Sequence, residues 1–92
     1  MKQEKIEINV YGKVHGVWFR KYTEIEAKRL SLKGYVENKT DGSVHIIAEG
    51  ASNNIETLLK WCVIGSPESD VTNVTHHFID SKDNFTDFTI RR

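Results

Sequence analysis

The chain holds one cysteine, Cys62, so it can form no internal disulfide and no thiolate metal cluster. It has one proline, Pro67, and no Pro/Gly/Ser-rich tract, repeat or low-complexity segment that would divide it. Charge of one sign is not in excess. Thirteen Lys and Arg meet thirteen Asp and Glu, for a formal net charge of zero. That argues against a broad electrostatic grip on nucleic acid or an anionic membrane, which needs clustered excess charge. An anion would have to be met by a few local groups. Long apolar runs are also missing. "MKQEKIEINV" is no signal peptide, and nothing downstream could span a bilayer. With 92 residues, the expectation is one domain over 1–92, cytoplasmic, with no nucleic-acid or membrane partner. The sequons at Asn38, Asn73 and Asn84 then read as accidents.

What is present is periodicity. In "KIEINVYG", Ile6, Ile8 and Val10 share one face and Lys5, Glu7 and Asn9 the other, as in a half-buried strand. From Phe19 to about Leu32 the spacing of Phe19, Tyr22, Ala27 and Leu30 predicts a helix, ended at Gly34. "YVENK", "TDG" and "SVHIIAEG" predict strand, turn and strand, with Asp41-Gly42 supplying the positive φ angles of a tight hairpin. Ile55, Leu58, Leu59, Cys62 and Val63 predict a second helix, capped by Ser52, Asn53 or Asn54 and stopped by Gly65 and Pro67. "VTNVTHHFID" and "NFTDFTIRR" predict two last strands joined near Ser81 to Asp83. The order β-α-β-β-α-β plus a short extra strand is that of an α+β, ferredoxin-like sandwich. Its sheet is mainly antiparallel, with both helices on one face. That fold serves many functions and decides no chemistry.

The stretch "GKVHGVWFR" runs from a strand through glycines into a helix. The first amides of a helix lack internal partners and carry partial positive charge, so this context suits an anion. Gly12 and Gly16 can take conformations closed to other residues, and Arg20 brings a planar fork matched to phosphate oxygens. On these residues alone, a plain turn with a solvated arginine stands about even with an anion site. No Gly-Lys-Ser/Thr follows, so this is no Walker loop. Six positions before Arg20, where a cysteine-dependent phosphatase holds its nucleophile, stands Val14. Cleavage would therefore proceed by direct attack of water. No acid-base pair stands beside the loop. An acyl phosphate suits such a site, because its leaving carboxylate has a conjugate-acid pKa of about 4 and departs unaided.

Other polar residues are weaker candidates. Cys62 falls in an apolar stripe and is expected packed and inert. His76 and His77 are adjacent in a strand, so they face opposite ways and cannot share a metal. His45 is expected on a strand surface, and Trp18 is either a substrate-facing lid or a core or rim aromatic, with the balance toward the rim. His15 could accept a phosphoryl group, but the sequence supplies it no orienting partner.

These residues resemble the acylphosphatase family. Its first signature, Gly-x-Val-x-Gly-Val-x-Phe-Arg, is matched by Gly12, Val14, Gly16, Val17, Phe19 and Arg20. Its second is matched by Gly34, Tyr35, Val36, Asn38, Gly42, Val44 and Gly50. "GSPESDVTNV" looks like its Gly-x-Pro segment and "FTDFTIRR" like its closing strand. The resemblance implies an enzyme that hydrolyses acyl phosphates to a carboxylate and inorganic phosphate, with no metal, cofactor or phosphoenzyme; the oligomeric state stays open, with a monomer as the default expectation. It implies that Arg20 binds the phosphate and Asn38 orients the attacking water. Amides of His15, Gly16, Val17, Trp18 and Phe19 would wrap the phosphate oxygens. In some members the chain-terminal carboxylate anchors the arginine; here it would belong to Arg92. The chain departs from the pattern at His15, usually glutamine, at Glu37, usually basic or neutral, and at Ser31, commonly glycine. The alternative is a non-catalytic ferredoxin-like module that binds phosphate or RNA. Lys33-Gly34-Tyr35 opens like an RNA-recognition motif, but stacking aromatics do not follow.

Overall fold

A computed structural model describes residues 3–80 and 84–91. The order is β1 (Gln3–Lys13), α1 (Phe19–Arg29), β2 (Lys33–Asn38), β3 (Val44–Ala51), α2 (Ser52–Ile64), β4 (Asp70–Phe78) and β5 (Phe88–Arg91). The strands form one sheet in the order β4-β1-β3-β2-β5. All neighbours are antiparallel except β2 and β5, which run parallel. This is the expected ferredoxin-like α+β sandwich.

The core lies between the sheet and both helices. Ile6, Ile8 and Val10 of β1, Val36 of β2 and Val44, Ile46 and Ala48 of β3 are buried, as their alternation requires. From above, α1 contributes Phe19, Thr23 and Ala27, and α2 contributes Ile55, Leu58 and Cys62. The rings of Phe19 and Trp61 meet at 5.3 Å, joining the start of α1 to α2. Burial pushes the Cys62 thiol pKa up, so the residue is packed and unreactive as expected.

Several local expectations are corrected. Tyr22 and Val63 are exposed, not core. Thr23 takes the inward position on α1 because its hydroxyl donates to the Phe19 carbonyl at 2.8 Å and needs no water. Helix α1 ends at Arg29, before Gly34. Ser31, at φ +57°, makes the turn instead: its amide donates to Lys28 and that of Leu32 to Ala27, the paired bonds of a Schellman close. Gly34 lies inside β2, where a Cβ would collide with the Ile47 carbonyl. No side chain caps α2, since β3 runs straight into it at Ala51 and Ser52, Asn53 and Asn54 already lie in its first turn. In the hairpin only Gly42 has positive φ. Asp41 instead accepts from the Ser43 amide at 2.9 Å and the Ser43 hydroxyl at 2.6 Å. The last strand is only Phe88–Arg91, and the expected joint at Ser81 to Asp83 lies outside the described residues.

Candidate active site

The loop between β1 and α1 takes its shape from alternating backbone hand. Gly16 has φ +72° and Trp18 φ +62°, while Val17 between them keeps the ordinary hand. Alternation of this kind turns successive amides toward one concavity. A Cβ at Gly16 would meet nothing, so glycine is there for its backbone and not for space. Trp18 is the N-cap of α1 but makes no side-chain cap bond, and the first turn holds no acidic residue. The leading amides of α1 are thus not claimed by a neighbouring carboxylate.

From below, the loop is tied to the rest of the fold. Val17 is buried, and its carbonyl accepts from the buried Ser66 hydroxyl at 2.9 Å. His15 Nε2 lies 2.8 Å from the Ser43 carbonyl, across to the β2–β3 hairpin. His15 therefore has the orienting partner that the sequence did not supply, and it is a backbone carbonyl. Asp41, whose carboxylate grips Ser43, has its pKa lowered by the Ser43 hydroxyl bond first and the Ser43 amide bond second.

A pocket of about 340 Å³ opens at this end of the sheet, lined by Val14, Gly16, Trp18, Phe19, Arg20, Lys21, Asn38 and Ile90. Arg20 sits on the first turn of α1, and its Nη1 lies 3.4 Å from the Arg91 carbonyl, a long hydrogen bond to the end of β5. Asn38 ends β2 on the same face as Gly34 and Val36, the helix face. Arg20 and Asn38, eighteen positions apart, thus face one cavity. Of the other expected site residues, Gly16, Trp18 and Phe19 line it. The side chains of His15 and Val17 point to Ser43 and into the core, which leaves only their backbones for the loop. The expected anchor at Arg92 lies outside the described residues.

Glu37 does not crowd Asn38. It lies on the opposite face of β2, with its carboxylate 3.0 Å from His45 Nδ1. His45 is not a surface residue as expected: it is buried, with its other nitrogen 2.8 Å from Glu7. It lies on β3, the middle strand, where the long side chains of both neighbouring strands close over it. Tyr35 covers its edge at 5.7 Å. Burial, then the Glu37 charge, raises the Tyr35 pKa, against the Arg91 guanidinium 3.6 Å over its ring. His77 reaches Glu7 at 2.9 Å on this face, whereas His76 packs on Phe78, so the adjacent histidines part as expected.

Sequence reasoning missed Lys21, Ser66 and Ile90. Ser66 had a signal, since it sits in the "GSP" segment noted without a role. Lys21 falls in no motif, and Ile90 is one more apolar residue of the closing strand.

Known proteins share the sequence pattern and the fold. A family model for acylphosphatase matches residues 6–90. An acylphosphatase of Actinobacillus succinogenes is 40% identical over 86 residues, which is 94% of this chain and 96% of that one. The structure of an acylphosphatase from Coxiella burnetii superposes with a TM-score of 0.92 at 36% identity, over 97% of this chain and 93% of that chain. That of Bacillus subtilis gives 0.93 at 34% identity, over 99% of this chain and all of the other.

Proposed function

Because the chain belongs to the acylphosphatase family, and is therefore a hydrolase of acyl phosphates and not a non-catalytic binding module, we propose a direct attack of water on phosphorus, held by two side chains. The observation that carries this reading is the pocket that Arg20 and Asn38 share at the mouth of the β1–α1 loop. In it, the phosphate sits against the amides of residues 15–19, and the Arg20 guanidinium takes two of its oxygens. The Asn38 carboxamide oxygen accepts a hydrogen bond from the attacking water and its NH2 donates to a phosphate oxygen, and the water's proton ends on the product phosphate. Asn38 does not titrate, so it orients the water without deprotonating it.

The transferring phosphoryl group is loose and anionic, and its stabilisation by fixed donors accounts for most of the acceleration. The departing carboxylate is stable as an anion, so the reaction calls for neither a general acid nor a Lewis acid. A covalent phosphoenzyme finds no support in the loop. Val14, at the position of a phosphatase nucleophile, is a buried aliphatic residue, and the His15 side chain, turned to the Ser43 carbonyl, is not among those that line the pocket. In this reading the 92-residue chain works as one domain, as a monomer in the cytoplasm, with no metal or cofactor. It takes a small acyl phosphate and releases inorganic phosphate.

The test is steady-state hydrolysis of benzoyl phosphate. Arg20→Ala and Asn38→Ala are each expected to lower kcat/KM by at least about a hundredfold while the circular dichroism stays that of the parent. Turnover retained by a folded variant would overturn its residue's role. Activity should survive a chelator; loss that added metal restores would overturn the metal-free reaction.

A further inference from the structure

The roles given to Arg20, Asn38 and the loop amides leave the acyl half of the substrate without a partner. We infer that the Trp18 indole is that partner: it forms the wall on which the acyl group lies, so the site favours acyl phosphates with aromatic or extended apolar acyl groups. The inference rests on the reading of the pocket just given.

Trp18 is 72% exposed, and tryptophan is on average one of the well-buried residues. Its backbone sits at φ 62°, ψ 19°, a left-handed conformation that bulky residues rarely adopt. It makes no side-chain bond to cap α1. A glycine would suit that backbone better, and a serine or aspartate would serve the helix better. Folding therefore gives no reason for an indole there, whereas the pocket does.

The remaining lining is already engaged. Val14 and Phe19 belong to the buried core, and Ile90 packs against it. Gly16 has no side chain. The Lys21 ammonium is 3.0 Å from Glu24, so a carboxylate already stands beside it. The broad exposed apolar surface of the pocket is the indole. Because the Trp18 amide belongs to the proposed cradle, its ring begins one Cα away from the phosphate, within reach of whatever the phosphate carries. A flat acyl group can stack on it in offset or edge-on fashion.

The experiment compares kcat/KM for benzoyl phosphate and acetyl phosphate in the full chain and in Trp18→Phe and Trp18→Gly. Both substrates share the phosphate, so damage to the cradle slows both and cancels in the ratio. Glycine suits the left-handed backbone, so that variant is expected to fold. The benzoyl-to-acetyl ratio should fall about tenfold in Trp18→Gly, mainly through the KM of benzoyl phosphate, and by less in Trp18→Phe. An unchanged ratio in Trp18→Gly would overturn the inference and leave the hydrolysis itself standing. A parent enzyme that prefers an acyl phosphate bearing a second phosphate, and loses that preference in Lys21→Met, would overturn it in favour of Lys21. Failure of the parent to hydrolyse either substrate would overturn the proposed function as well.

Discussion

Ser31 holds φ +57°, a conformation that costs an L residue about 1–2 kcal/mol and glycine almost nothing. Its amide and that of Leu32 complete the C-terminal close of α1, so the backbone cannot relax without losing both bonds. Ser31→Gly is therefore expected to stabilise the fold by up to about 1 kcal/mol, once the extra freedom of glycine in the unfolded chain is subtracted. A thermal melt should show Tm raised by about 4 °C. His15 makes a different case at the same scale. Its ring bonds a carbonyl that also accepts from the Lys39 amide, so the carbonyl stays satisfied if the ring is removed. The loss in His15→Ala should fall on the placement of the loop and not on stability: kcat lower by about threefold to tenfold, with Tm little changed. Glutamine can donate across the same gap, and His15→Gln should retain most of the rate. Equal rates for the two variants would show that the tie does not position the loop.

Among the elements, the β2–β3 hairpin is where sequence reasoning was right in outcome and wrong in means. Asp41-Gly42 marked the turn, but the turn rests on one positive φ, at Gly42, and on the Asp41 carboxylate held by Ser43. That carboxylate has a folded pKa below its unfolded value. Its stabilisation is fully present above the unfolded value and is lost as pH falls through the folded one. The stability advantage of the parent over Asp41→Asn should therefore be constant near neutrality and vanish on acidification below the ordinary aspartate range. Denaturant melts across that range would check it. Strand β1 was legible because Ile6, Ile8 and Val10 alternate strictly with polar residues, whereas β3, buried on both faces from Val44 to Ala48, carries no such strict pattern. Helix α2 was legible because Ile55, Leu58 and Cys62 repeat at its period. The ends were not. Whether Ser52 caps α2 or lies inside it depends on how β3 enters, and whether Gly34 stops α1 or fits under Ile47 depends on a strand pairing. No local pattern carries either fact. At the site, Arg20 and Asn38 were legible because signatures mark them, whereas Ile90 and the Arg91 carbonyl reach it only through the parallel β2–β5 pairing.

Across the whole molecule, the two faces of the sheet are built differently. The helix face is apolar and ends in the pocket. The other face carries a polar chain in which Glu37 and Glu7 flank His45 and His77 continues from Glu7. Buried polar groups are costly when one partner is removed. His45→Leu should bring the Glu7 and Glu37 carboxylates face to face without a donor between them, at about 1–3 kcal/mol, read as a lower urea midpoint. Because these side chains lie on the opposite face of the sheet from the pocket, the folded fraction should keep the parent kcat. At the far edge, Phe88 is wholly buried although β5 is only four residues long, so Phe88→Ala should cost about 3–5 kcal/mol and lower activity with stability.

The position of β5 has a further consequence for how the protein comes into being. The pocket takes its first residues from the early chain, Val14 to Lys21, and a later one, Ile90, from the last strand, whose Arg91 carbonyl holds Arg20. A nascent chain can make β1 through β4 and still lack a wall of the pocket. Activity would then appear only after β5 has been made and has slid in beside β2, so that folding itself withholds the hydrolase until the fifth strand is in place.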